Sequence, residues 1–278
     1  MALLVVNADD YGLTEGVSRA ILEGHRRGVV SSTSVLVLGP AFERTAAWLH
    51  DAPRLGTGVH LAAVGEDPPL LSAREIPTLV DRAGRLHRSW RTFLPAVAAG
   101  RVDPADLRRE FEAQVESFGR AGLVADHLDT HQNVHLWPLV REVVLQVGER
   151  HGIRAVRVTR SRARGVVGAV VRRLAADLER RCAALGWRYP RAATGLDEAG
   201  GLDEAGMCAA LRRLAATGAP TAELATHPGE AGDPALVRYR WGYRWAEEAA
   251  AVCSGRVRAE VDRLRFTLGT FADLAAAP

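Results

Sequence analysis

Apolar and polar positions follow two different rhythms along this chain. Leu3-Leu4-Val5-Val6 is a continuous apolar run ending in Asn7-Ala8-Asp9-Asp10, which reads as an inner strand of a parallel sheet. From residue 15 to residue 27 apolar side chains recur at helical spacing, and Asp-Asp-Tyr-Gly just before them suits a turn and a helix cap. The two patterns then alternate. Strands are expected at 32–38, 56–61, 155–158 and 221–226, and helices at 41–50, 104–120, 138–151 and 241–253. A loop-like stretch with Pro68-Pro69 and Pro77 interrupts them, and a last segment near 264–274 closes the chain. Such alternation predicts βα units on a parallel sheet, so the expected fold is α/β, a single-domain, irregular (β/α) barrel over residues 1–278. The pattern breaks near residues 160–205. An arginine-rich amphipathic segment, 160–194, is followed by Gly195-Leu196-Asp197-Glu198-Ala199-Gly200 and its copy Gly201-Leu202-Asp203-Glu204-Ala205-Gly206. One short duplication is not a solenoid, and the region is expected to be a variable helical excursion over the barrel mouth.

Composition narrows the function classes. Of the 278 residues, 47% are apolar and 25% charged, ordinary for a globular protein. All 36 basic residues are arginines, but they are spread along the chain and the net charge is only +3, so nucleic acid is not an expected partner. Cys182, Cys208 and Cys253 lack metal-type spacing and suit neither a disulfide framework nor a zinc finger. No apolar run is long enough to span a bilayer and no leader pattern is seen, so a cytoplasmic enzyme or binding protein without a membrane partner is expected. Homo-oligomerisation is left open.

Chemistry concentrates at the strand ends. Adjacent carboxylates such as Asp9 and Asp10 repel each other unless a cation lies near or one holds a proton. Five of the nine histidines follow apolar strands: His60, His127, His131, His135 and His227. A carboxylate with imidazoles from separate strand ends makes an Asp-His-His face that binds a divalent metal and leaves positions open for water and substrate. Side chains alternate along an extended strand, so Asp9 and Asp10 should divide into one ligand and one base.

Asn7-Ala8-Asp9-Asp10-Tyr11-Gly12, Gly58-Val59-His60-Leu61, His127-Leu128-Asp129-Thr130-His131 and His227-Pro228-Gly229 resemble, in order and spacing, the motifs of the YdjC/ChbG-type carbohydrate deacetylases. The resemblance covers nearly the whole chain and weakens between about residues 160 and 220. It implies a β/α barrel that binds one divalent metal and removes the N-acetyl group from acetylated amino sugars. By motif position it implies Asp10, His60 and His131 as ligands and Asp9 as the neighbouring base. Zinc suits two imidazoles and a carboxylate best, with magnesium, cobalt or nickel as alternatives. Gln132-Asn133 stand where the commoner pattern is richer in histidine, a change that bears on the substrate.

The mechanism implied is attack by a metal-bound water on the amide, with Asp9 taking a proton and His227 protonating the leaving amine. Asp129 and His127 are candidates for orienting a ligand imidazole, and His135 for that or for touching substrate. Among the aromatic residues, Tyr11 and Trp137 adjoin the metal motifs and are preferred as sugar contacts over Trp90, Trp241, Tyr243 and Trp245. Arg157 and Arg244 are candidates for contact with polar substrate groups, with surface ion pairing the preferred reading. The expected substrate is an acetylated amino sugar or a glycosylated small molecule. Two alternatives stand beside this reading, a barrel metallophosphoesterase and a non-catalytic sugar- or metal-binding relative.

Overall fold

The computed structural model describes residues 1–276. Strand β1, Ala2–Tyr11, is buried from Leu4 onward, as its apolar run requires. It stands near the middle of a parallel sheet with β2 (Ser32–Val35), β3 (Gly56–Leu61), β4 (Leu128–Thr130), β5 (Ala192–Thr194) and β6 (Thr221–Thr226), in the order β4-β3-β2-β1-β6-β5. Strand β7, Phe266–Leu268, pairs with the first residues of β1, below the point where β2 joins. Single parallel bridges, Leu128 to Val156 and Ala155 to Arg188, carry the curl past β4. The sheet is therefore a curled half-barrel. The expected strand at 155–158 forms only these bridges, and of the expected irregular barrel the sheet completes about half.

The helices are α1 (Glu15–Arg27), α2 (Phe42–Thr45), α3 (Trp90–Ala98), α4 (Pro104–Arg120), α5 (Pro138–Arg150), α6 (Val166–Leu185), α7 (Glu204–Ala216), α8 (Trp245–Val252) and α9 (Gly255–Arg263). Helix α1 shows why the pattern was legible. Thr14 caps it by accepting from the Val17 N–H, Glu15 and His25-Arg26-Arg27 complement the helix dipole, and Val17, Ile21 and Gly24 form its buried face. The expected helix at 41–50 is instead α2 followed by the 3₁₀ segment Ala46–Asp51. The expected helical excursion holds α6 and also β5, whose three residues join the sheet beside β6. The duplicated hexapeptides take different structures. The first is a loop, and the second supplies the α7 cap, where Asp203 accepts from the Gly206 N–H.

One irregularity positions the site. The β1–β2 register slips between Ala8 and Tyr11, and there Asp10 has φ 69°, left-handed backbone that asparagine and aspartate tolerate better than most residues. The bulge suspends the alternation of an extended strand, and Asp9 and Asp10 both face the same cavity. The expected division of the pair onto opposite sides does not hold.

Candidate metal centre

A cavity of about 420 Å³ opens at the C-terminal ends of the strands. Asp9, Asp10, His60, His131 and His227 line it, with Arg157 and Glu223 alongside. Asp10 Oδ1 lies 3.5 Å from His60 Nε2 and 3.3 Å from His131 Nδ1, and it is buried without a hydrogen-bond partner. The three residues bring ligand atoms within 4.8 Å of one another. Two imidazole nitrogens around an unpartnered carboxylate oxygen fit a divalent ion. Burial opposes the charge on Asp10, but the neighbouring imidazoles, His131 first and then His60 and His227, hold its carboxyl down at about 2 by their charge.

His60 is oriented from behind. Its Nδ1 donates to Asp129 Oδ1 at 2.8 Å, which turns Nε2 toward Asp10. Burial disfavours the charged ring, yet Asp129 and then Asp9 and Asp10 push its pKa up to about 9. Asp129 is held well below the usual carboxylate range, because the charges of Arg157 and His60 outweigh its burial. Its Oδ2 accepts from Ser34 Oγ at 2.8 Å and lies 2.7 Å from Arg157 Nη1.

Arg157 organises the floor. Its guanidinium donates two bonds to Asp9, at 2.7 and 2.6 Å, and one from Nε to Glu223 Oε1 at 2.7 Å. The Asn7 side-chain amide adds a bond to Asp9 Oδ1 at 2.8 Å. A second group of candidate ligands, Asp9, His60 and Asp129, shares these carboxylates, but Arg157 already occupies the space between Asp9 and Asp129. His227 Nε2 stands 3.7 Å from Asp9 Oδ2, its Nδ1 has no partner, and its backbone N–H donates to Glu248 at 2.6 Å.

The other expected site residues lie elsewhere. His127 sits behind the cavity, with Nδ1 on Asp126 at 2.6 Å and its ring stacked on Phe271 at 3.7 Å. His135 is also behind it. Its Nε2 donates to the Arg157 carbonyl at 3.0 Å and Thr130 Oγ1 donates to its Nδ1, while burial lowers its pKa to about 4. Tyr11 and Trp137 are corrected as sugar contacts. Tyr11 is fully buried with its hydroxyl on the Thr45 carbonyl, and half-buried Trp137 packs on the core, so neither lines the cavity. Trp90, Trp241 and Tyr243 do line it; Trp241 packs 5.1 Å from His131, and Tyr243 4.9 Å from His227.

The expected surface position of Arg157 is corrected, since the residue is buried, and Glu223 was not singled out in the sequence at all. The available signal was a charged residue inside each of two buried-type segments, Ala155-Val156-Arg157-Val158 and Ala222-Glu223-Leu224. Buried charges must find partners, and these two find each other. Arg244, by contrast, is the exposed ion-pairing residue expected, bound to Glu247. Gln132 and Asn133 both adopt left-handed backbone, φ 55° and 54°, so this departure from the histidine-rich pattern makes a turn that presents His131.

The family model described as YdjC-like protein matches residues 3–263. The chain belongs to the YdjC-like family. The chain is 35% identical over 150 residues to a carbohydrate deacetylase of Brevibacillus brevis, covering 54% of this chain and 57% of that protein. It is 38% identical over 135 residues to one of Enterococcus faecalis, covering 48% and 49%. The matches thus span roughly half the length of these relatives. A crystal structure of an Enterococcus faecalis protein put forward as a cellobiose-phosphate cleavage protein superposes with a TM-score of 0.81 over 98% of both chains at 24% identity, which shows the shared fold.

Proposed function

We propose that this chain is a metal-dependent hydrolase that removes the N-acetyl group from an acetylated amino sugar or N-acetylated glycoside, the whole chain acting as one deacetylase-like domain. The observation that carries the reading is the buried, unpartnered Asp10 Oδ1 facing two imidazole nitrogens, beside a second carboxylate, Asp9, that is firmly gripped. The carbohydrate deacetylases that the chain matches over about half their length support a sugar substrate.

Asp10, His60 and His131 would hold one divalent ion, zinc by preference. When bound, such an ion lowers the pKa of a water and polarises the amide carbonyl. Asp9 accepts the proton of the attacking water. The Arg157 fork and Asn7 restrict its rotation before substrate arrives, so little freedom is lost on reaching the reactive geometry. His227, anchored through its backbone on Glu248 and with Nδ1 unpartnered, delivers a proton to the departing nitrogen, which leaves poorly as an anion. Trp241 and Tyr243 offer flat apolar faces beside His131 and His227, suited to the C–H face of a sugar ring.

A two-metal phosphoesterase finds less support, since Arg157 fills the only second grouping of candidate ligands among the described residues. Acetate release from a panel of N-acetylated saccharides, with metal content measured on the same samples, tests the proposal. One acetate per free amine is expected. Phosphate release from phosphomonoesters without any deacetylation would overturn it.

A further inference from the structure

The arginine-rich excursion carries a surface that the site does not use. Val166, Val167 and Val170, at the start of α6, are 80%, 65% and 44% exposed. They are three of only eight large apolar side chains exposed among the described residues, and they fall within five consecutive positions. The fold holds them outward. Gly168, between them, faces the carbonyl of Ala163 so closely that a Cβ there would lie 2.0 Å from that oxygen, which ties the preceding turn to the helix. From residue 160 to residue 176 the sequence contains no acid. Arg162 and Arg173 have carboxylate partners in Glu198 and Asp177, whereas among the described residues exposed Arg164 and Arg172 form no ion pair, Arg172 bonding only carbonyls.

We infer that this tip is a peripheral docking surface for an anionic phospholipid bilayer, the valines entering the interface and the arginines meeting lipid phosphates. An apolar centre ringed by arginine matches the two layers of such a surface, apolar chains below and negative headgroups above. Nucleic acid would not reward three exposed valines. A second copy of the chain packed symmetrically on the same patch would bring Arg164 and Arg172 against their own equivalents. No helix among the described residues is long and apolar enough to cross a membrane, so attachment would be interfacial. The location gives it a consequence: Thr159 and Arg160, just before the tip, line the cavity, and Arg162 binds Glu198 in the loop whose Gly195, Leu196 and Ala199 line it too. A docked molecule would hold the cavity mouth near the bilayer. If the deacetylase reading above is right, the substrate class is then an acetamido sugar borne on a lipid.

Vesicle co-sedimentation of the full chain tests the docking without reference to catalysis. The probes are vesicles of phosphatidylcholine alone and of equal parts phosphatidylcholine and phosphatidylglycerol. Binding to the mixed vesicles only, weakening as salt rises, is expected. R164A/R172A should bind about thirtyfold more weakly, and V166S/V167S at least about tenfold, both with unchanged circular dichroism because all four positions are exposed. Equal binding by wild type and both variants, or no binding to the mixed vesicles, overturns the inference. So does concentration-dependent self-association in ultracentrifugation that V166S/V167S abolishes, which would make the patch a contact between copies. Vesicle binding with no deacetylation of any sugar would leave the docking standing and count against the deacetylase reading alone.

Discussion

Replacing Arg157 by Met should be among the most damaging single changes available in this protein. The guanidinium is 2% exposed and touches Asp9, Asp129 and Glu223, which are 3%, 0% and 1% exposed. With charge centres about 4 Å apart and an effective dielectric of about 20, each pair is worth about 4 kcal/mol of attraction, set against the desolvation of four charges. Methionine fills similar volume, removes the attraction and leaves three carboxylates desolvated and mutually repelling. Breaking one buried pair costs about 3–5 kcal/mol, and three partners put Arg157→Met at the top of that range. The loss should also depend on pH in a direction that identifies its cause. Carboxyls stranded without a cation bind protons more tightly in the folded than in the unfolded chain, so the variant gains stability relative to wild type as pH falls. Urea unfolding of the metal-free proteins near pH 7 and near pH 5 should show the gap between variant and wild type narrowing at the lower pH. A loss below about 1 kcal/mol that is the same at both pH values would refute the view that Arg157 compensates buried charge.

Ala at Asp10, His60 or His131 should each lower metal content as well as turnover, and full occupancy by elemental analysis in all three variants would remove the ligand assignment. Asp9→Asn should keep the metal but lose about 10²–10⁴-fold in kcat, as expected for a missing general base; metal loss there with retention in Asp10→Asn would exchange the two roles. His227→Ala should retain metal and slow amide substrates more than an activated ester, whose leaving group needs no proton, and equal slowing of both would reduce His227 to a positioning residue. His135 is buried with its pKa pushed down to about 4, below its unfolded value of about 6.5, so its contribution is present above pH 6.5 and is lost as pH falls through about 4. That loss amounts to about 3 kcal/mol, and His135→Gln should flatten the acid limb of the urea-unfolding profile; an unchanged limb would show that other groups set it.

The elements most legible in the sequence were those whose burial is one-sided or complete. The limits of α1, α4, β3 and β6 follow from local period and capping residues alone, because an amphipathic face and a cap are properties of neighbouring residues. The five strand-end residues that share the cavity were legible for a related reason, since a parallel sheet gathers the C-terminal ends of its strands at one edge. Local pattern failed where contacts join residues distant in sequence. Strand β5 has three residues and is defined by its pairing with β6, and the segment at 155–158 makes only single bridges, to Leu128 and to Arg188, instead of a strand. The same holds for chemistry. That Asp9 and Asp10 face one cavity was decided by a slip in register against β2, which no alternation rule anticipates. That Tyr11 is core while Trp241 and Tyr243 form the cavity wall depends on where loops at the far end of the chain settle. The sequence by itself determined which carboxylates and imidazoles are the candidate ligands and the edge of the sheet at which they meet. Only the tertiary structure decided which charges neutralise one another, since Arg157 and Asp9 are 148 residues apart and burial makes their pairing obligatory.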